Sequence, residues 1–190
     1  MVTDRLPQRE PLRAQFLASD RRKALDLPAD DRLRRPAKFI EEAMQSGQPA
    51  LVRRACTEFL AAAAGFYQVP ATPLRVLAAR PLRVRESGWS SELFGDYQPD
   101  TNLIRVWMRT AIRKQITSYG TFLATLCHEF CHHLDMVQFG FQDSPHTRGF
   151  YERAAILYHH ARVTPAKRLF WTPLPAGRWR IDWPRTNRGV

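Results

Sequence analysis

One pentapeptide constrains this chain more than any other feature: His128-Glu129-Phe130-Cys131-His132. On an α-helix, residues four apart lie one turn apart on the same face. Two imidazoles at that spacing can bind one metal ion from the same side. Glu129, about 100° round the helix, can reach a metal-bound water without itself becoming a ligand. Such a helix must bury its other side, and Leu123, Leu126, Phe130, Leu134 and Val137 supply the apolar stripe. A helix is therefore expected from about Thr121 to Gln138, with Ser118 as N-cap and Gly140 as its stop. The expected cofactor is Zn2+, which lowers the pKa of a bound water until a carboxylate can take its proton.

A catalytic zinc needs a third protein ligand and one open position. The pattern with a glycine three residues and a histidine six residues after the second histidine fails, because Asp135 and Gln138 stand there. His146 follows His132 by 14 residues and Glu152 follows it by 20. A last helix is expected from Ser144-Pro145 to about Arg162, since Ser as cap and Pro in the first turn form a start signal. On that helix His146 would share a face with Phe150, Ala154, Leu157 and Ala161, all apolar, whereas Glu152 falls on a mixed face. Residues six apart on a helix point well away from each other, so one metal takes one of them. His146 is favoured and Glu152 is the alternative. Asp135, one turn beyond His132, is a candidate to accept a hydrogen bond from an imidazole N–H. His133, His159 and His160 are read as non-ligands.

Around this segment the chain has the bulk of one domain with tails. Residues 1–35 are rich in Arg, Asp and Pro and read as a basic, extended or loosely helical arm. Residues 36–163 carry the core. Short helices are expected from Pro36 to Gly47 and over 49–66, the second with Leu51, Ala55, Phe59 and Ala63 on one face. Strands are expected at Leu74–Ala78, Leu82–Arg85 and Leu103–Met108, with a turn-rich connection over 87–102. Residues 164–190, rich in Pro, Trp and Arg, read as an irregular tail. Cys56, Cys127 and Cys131 are too few for a disulfide framework or a four-cysteine ribbon, and Cys127 and Cys131 read as reduced core residues.

The net charge of +11 divides unevenly. Residues 1–54 carry +4, residues 55–140 carry +1 and residues 141–190 carry +6. Basic ends of this kind can follow a phosphate backbone, and Trp171, Trp179 and Trp183 could stack on bases, so DNA is a candidate partner. No apolar run reaches the roughly 18–20 residues of a membrane span, so no membrane partner is expected. The stretch MVTDRLPQREPLR lacks the apolar core of a secretory leader, and a cytoplasmic location is expected.

HEFCH (His128–His132) followed by HTRGF (His146–Phe150) resembles the SprT-like zincin metallopeptidases, which pair an H-E-x-x-H helix with a later histidine and an aromatic four positions on. Upstream, GDYQPDTNLIRVWM is similar to the edge strand of that family. The resemblance covers about residues 70–160. It implies an α+β zincin-like domain, a small mixed sheet packed on the H-E-x-x-H helix with additional helices. It also implies a zinc-dependent endopeptidase acting on proteins, in better-known members proteins on or crosslinked to DNA. The cysteines of that family's C-terminal zinc ribbon do not occur in these 190 residues.

On this reading zinc sits on His128, His132 and His146, and Glu129 moves protons during attack on a peptide carbonyl. Strand Leu103–Met108 would bind an extended peptide along its edge. Tyr119, Arg148 and Tyr151 are candidate oxyanion donors. The rival expectations are a basic nucleic-acid-binding protein with a structural zinc, and a regulatory zincin specific for one partner.

Overall fold

Amphipathic and apolar segments build the helices, and three short strands pack beside the two longest, of 19 residues each. The computed structural model describes residues 1–84 and 90–189. It is a mixed α+β fold with six α-helices and small sheets among the described residues.

Helix α1 spans Leu12–Arg21, α2 Arg34–Ser46 and α3 Pro49–Tyr67. Strand β1 (Leu74–Ala79) follows, then β2 (Leu82–Val84), β3 (Ser90–Glu92), β4 (Gly95–Gln98) and β5 (Leu103–Arg109). Helix α4 covers Tyr119–Val137 and α5 covers Arg148–Arg162. The chain ends with β6 (Trp171–Leu174), β7 (Arg178–Ile181) and α6 (Trp183–Arg188). The end of the expected strand at Arg85 lies outside the described residues.

Helix α2 ends on Gly47 in the left-handed conformation, which a residue without Cβ adopts at no steric cost. Helix α3 buries Val52, Ala55, Cys56, Phe59, Leu60, Ala63 and Ala64. Leu51, expected on that face, is 43% exposed, because the buried stripe is centred one position further on. The segment expected to be a turn-rich connection contains β3 and β4, whose pairing is long-range and invisible to local composition.

The main sheet has the order β1-β5-β4, with β1 parallel and β4 antiparallel to β5. Strand β5 is thus central, with Ile104, Val106 and Met108 in the core. This corrects the expectation that Leu103–Met108 offers a free edge to a peptide: both its sides are paired, and β4 holds the edge beside α4. Alternation of side chains reports which face is buried and carries no information about the number of neighbouring strands. The β4–β5 connection turns at Asn102, in the left-handed region at φ 52°, where Asn is tolerated.

The N-terminal arm, expected to be extended or loosely helical, contains α1, and the C-terminal tail differs from expectation. Helix α1 packs on α5 at a point where only glycine fits. A Cβ on Gly149 would stand 2.0 Å from the Ser19 carbonyl oxygen and 2.8 Å from that of Arg22. The tail expected to be irregular folds as an antiparallel β6–β7 hairpin and a short helix. Residues 2–4 run alongside it: Val2 bridges Arg180, and the Thr3 amide donates to the Trp179 carbonyl at 2.8 Å. Trp171 and Trp179 are half-buried in this arrangement, with the Arg148 guanidinium 4.6 Å from the Trp179 ring; Trp183 is 43% exposed.

Candidate metal centre

Helix α4 starts where Ser118 accepts a hydrogen bond from the Thr121 amide at 3.3 Å, as its position before the apolar run predicts. Phe122, Leu123, Leu126, Phe130 and Leu134 are buried, while Val137 at the last turn is 41% exposed. Burial of this stripe leaves His128 and His132 on the cleft side, with ring centroids 4.9 Å apart.

His146 reaches them from a loop. Helix α5 begins at Arg148, capped by Thr147, whose Oγ1 accepts from the Phe150 amide at 3.0 Å. Ser144 is therefore not the cap, and His146 is not on the helix. The helical-phase reasoning that favoured it does not apply; the loop delivers it. Its Nε2 stands 3.0 Å from Nε2 of His128. One nitrogen from each of His128, His132 and His146 lies within 4.8 Å of the other two, and this group could hold a metal ion. Tetrahedral zinc with Zn–N near 2.0–2.1 Å separates its nitrogens by about 3.3–3.4 Å, so the donor set fits such an ion.

Phe150 closes the inner side of the cluster. It is fully buried, and its ring centroid is 4.8, 4.5 and 5.1 Å from those of His128, His132 and His146. This wall explains the aromatic four positions after His146: it keeps the imidazoles dry and limits their rotation. Burial, then the neighbouring His146, pushes the His128 pKa down to about 3, and burial with the adjacent histidines holds His132 well below its usual value. Both rings are thus neutral, the form that binds metal.

Ser144 orients His132. Its Oγ lies 2.8 Å from His132 Nδ1 and donates to Asp135 Oδ2 at 3.3 Å. Nδ1–H therefore donates to Ser144, and Nε2 is left for the metal. Asp135 acts on His132 through this hydroxyl. Its carboxylate is buried and takes two hydrogen bonds from Arg153 Nη2, at 2.7 and 2.9 Å. Burial still pushes its pKa up, to about 6, against the pull of Arg153 and Ser144.

Glu129 packs against the edge strand. A Cβ on Gly95 would lie 2.8 Å from Glu129 Oε1 and 2.6 Å from Thr125 Cγ2, so a side chain there would push Thr125 and Glu129 aside. Glu129 is 5% exposed and lines the cleft. Burial, with a smaller contribution from the Asp96 charge, raises its pKa to about 8. A cation on the neighbouring histidines opposes that shift. The cleft has a volume of about 1420 Å3 and runs past Tyr97, Glu129, His146, Tyr151 and Tyr158.

The other candidates are placed as follows. Glu152 accepts from Trp171 Nε1 at 3.3 Å and is not in the three-histidine group. His133 lies between the Tyr97 hydroxyl and the Pro70 carbonyl, at 3.1 and 2.9 Å, and is outside the group. His159 contacts Thr164 Oγ1 at 2.8 Å. Tyr119 and Tyr151 line the cleft, with hydroxyls donating to the Ala37 and Val2 carbonyls at 2.9 and 3.0 Å. The Arg148 guanidinium is held by Asp20 at 2.5 Å. Gly95 and Ser144 were missed in the sequence. A glycine opening a strand is a weak signal of close approach, and no local pattern marks Ser144.

No described helix is long and apolar enough to cross a membrane. Comparison with models of known protein families, with curated proteins and with solved structures finds no match.

Proposed function

We propose that this chain is a zinc-dependent endopeptidase of the SprT-like zincin type, with Zn2+ held by His128, His132 and His146. The observation that carries the reading is the convergence of three imidazoles beside Glu129, at the inner end of a cleft bordered by an edge strand. Three nitrogen donors leave one coordination position open, as hydrolytic zinc sites require and structural sites do not.

Zinc bound there supplies Lewis acidity and brings the pKa of a bound water toward neutrality. Strand β4 is an edge of the three-stranded sheet among the described residues, and an extended substrate chain can align along it. Glu129 accepts a proton from the attacking water and returns it to the leaving amine. Phe150 excludes water from behind the imidazoles, and Ser144 with Asp135 holds His132 in the tautomer that offers Nε2. Of the hydroxyls lining the cleft, Tyr151 is the one stacked on His146, at a centroid distance of 5.6 Å, and it would support the oxyanion by turning its hydroxyl from the Val2 carbonyl to the substrate. The basic ends extend the substrate class to proteins associated with DNA.

The test compares wild type with Glu129→Gln. Purified wild type is expected to hold close to one zinc per chain and to cleave an unfolded protein substrate, with and without DNA. Glu129→Gln is expected to keep the zinc and lose about 10²–10⁴-fold in rate. A wild type that neither retains nor regains zinc refutes the assignment, as does a Glu129→Gln variant with undiminished cleavage.

A further inference from the structure

The third histidine is gripped by a residue from the far end of the chain. Asp4 Oδ2 accepts a hydrogen bond from the His146 backbone amide at 2.8 Å. The Asp4 amide in turn donates to the His146 carbonyl at 2.9 Å. The same Oδ2 stands 3.4 Å from His146 Nδ1, the ring nitrogen that does not face His128. Backbone and side chain of one residue thus hold the peptide of the other, and the same carboxylate stands close to its ring.

Asp4 is itself fixed by what precedes it. Val2 pairs with Arg180 of β7, and its carbonyl accepts from the Tyr151 hydroxyl at 3.0 Å. The Thr3 side chain is buried, and its Oγ1 accepts from the Trp179 amide at 2.8 Å. The C-terminal hairpin, residues 2–4 and the His146 loop form one connected layer beside the cleft.

We infer that Asp4 is a positioning residue of the metal centre, the carboxylate that orients His146 and strengthens its hold on zinc. The inference rests on the proposed zinc site. A histidine that binds metal through one nitrogen commonly directs the other N–H at a carboxylate, which fixes the ring and the tautomer. His132 has its hydroxyl-relayed partner in Ser144 and Asp135; for His146, on a loop with no helix to hold it, Asp4 takes that part. The layer of residues 2–4 and β7 is then a functional component of the site, 142 residues away in sequence from the ligand it serves.

The test measures zinc affinity by chelator competition, the absorption spectrum of the Co2+-substituted protein, and the melting of the metal-free protein, for wild type, Asp4→Ala, Asp4→Asn and Asp4→Glu. Asp4→Asn retains an oxygen for the His146 amide but removes the charge facing Nδ1. The expected result is zinc affinity lowered about 10–100-fold in Asp4→Ala. Asp4→Asn should show a smaller loss with a shifted Co2+ spectrum and unchanged metal-free melting, and Asp4→Glu should recover part of the affinity. Zinc affinity and Co2+ spectrum identical to wild type in Asp4→Asn overturn the inference and leave Asp4 a backbone clamp. So does a change in affinity no greater than the change in metal-free stability. A wild type that binds no zinc refutes the metal centre and this inference together. Wild-type binding with indifferent Asp4 variants refutes the inference alone.

Discussion

Replacing Arg153 with methionine tests how the core supports the metal centre. Arg153 is 1% exposed and joins three elements. Nη2 binds both oxygens of Asp135 on α4, and Nη1 donates to the Ser19 carbonyl at 3.1 Å and to the Arg22 carbonyl at the end of α1. Removing the guanidinium leaves the buried Asp135 carboxylate without its cation and two carbonyls without donors. Breaking a buried pair in this way costs about 3–5 kcal/mol. For a chain of this size the melting temperature should fall by about 6–20 °C. Burial pushes the Asp135 pKa up to about 6 even with Arg153 beside it, and replacing both members of a buried pair by apolar groups is often neutral or stabilising. The double variant Arg153→Met/Asp135→Leu should therefore recover most of the lost stability, since neither charge is left buried alone. It should still bind zinc more weakly than wild type, because Ser144 loses the acceptor that fixes its hydroxyl toward His132. Urea denaturation of the two single variants and the double variant in the metal-free state, followed by zinc competition, reads both quantities. A single-variant loss below about 1 kcal/mol would refute the reasoning, because it is less than one stranded buried carboxylate should cost. A double variant no more stable than Arg153→Met would refute it as well.

Further outcomes follow from single contacts. His146→Ala is expected to lose zinc by chelator competition, whereas Glu152→Ala, whose carboxylate faces Trp171, should retain it; the opposite result would move the third ligand to α5. Gly149→Ala places a methyl 2.0 Å from the Ser19 carbonyl oxygen and should lower stability by about 1–3 kcal/mol in urea denaturation, with α1 becoming the first segment to exchange its amide protons. The basic ends are expected to bind DNA with an affinity that falls steeply as salt rises; in a fluorescence titration Trp183, the more exposed tryptophan, should respond more than Trp171. Binding that ignores salt would remove phosphate contact as the cause.

The part of the site written in local sequence is the part carried by one helix. The spacing of His128, Glu129 and His132, the apolar stripe opposite them and the Ser118 cap all depend on interactions within four residues, so periodicity alone placed them. The mixed α+β character was legible for the same reason. The remaining features depend on contacts between distant segments. His146 reaches the other histidines through a loop that ends at the Thr147 cap, not through the phase of a helix. Strand β5 lies between β1 and β4, a matter of long-range pairing that its alternating residues do not encode. The N-terminal arm and C-terminal tail read as loose because they lack apolar period. They are ordered by α1 meeting α5 at Gly149 and by residues 2–4 lying along β7. Local patterns set which face of an element is buried. Which partner covers that face, and which distant carboxylate meets a given imidazole, is decided only when the whole chain packs.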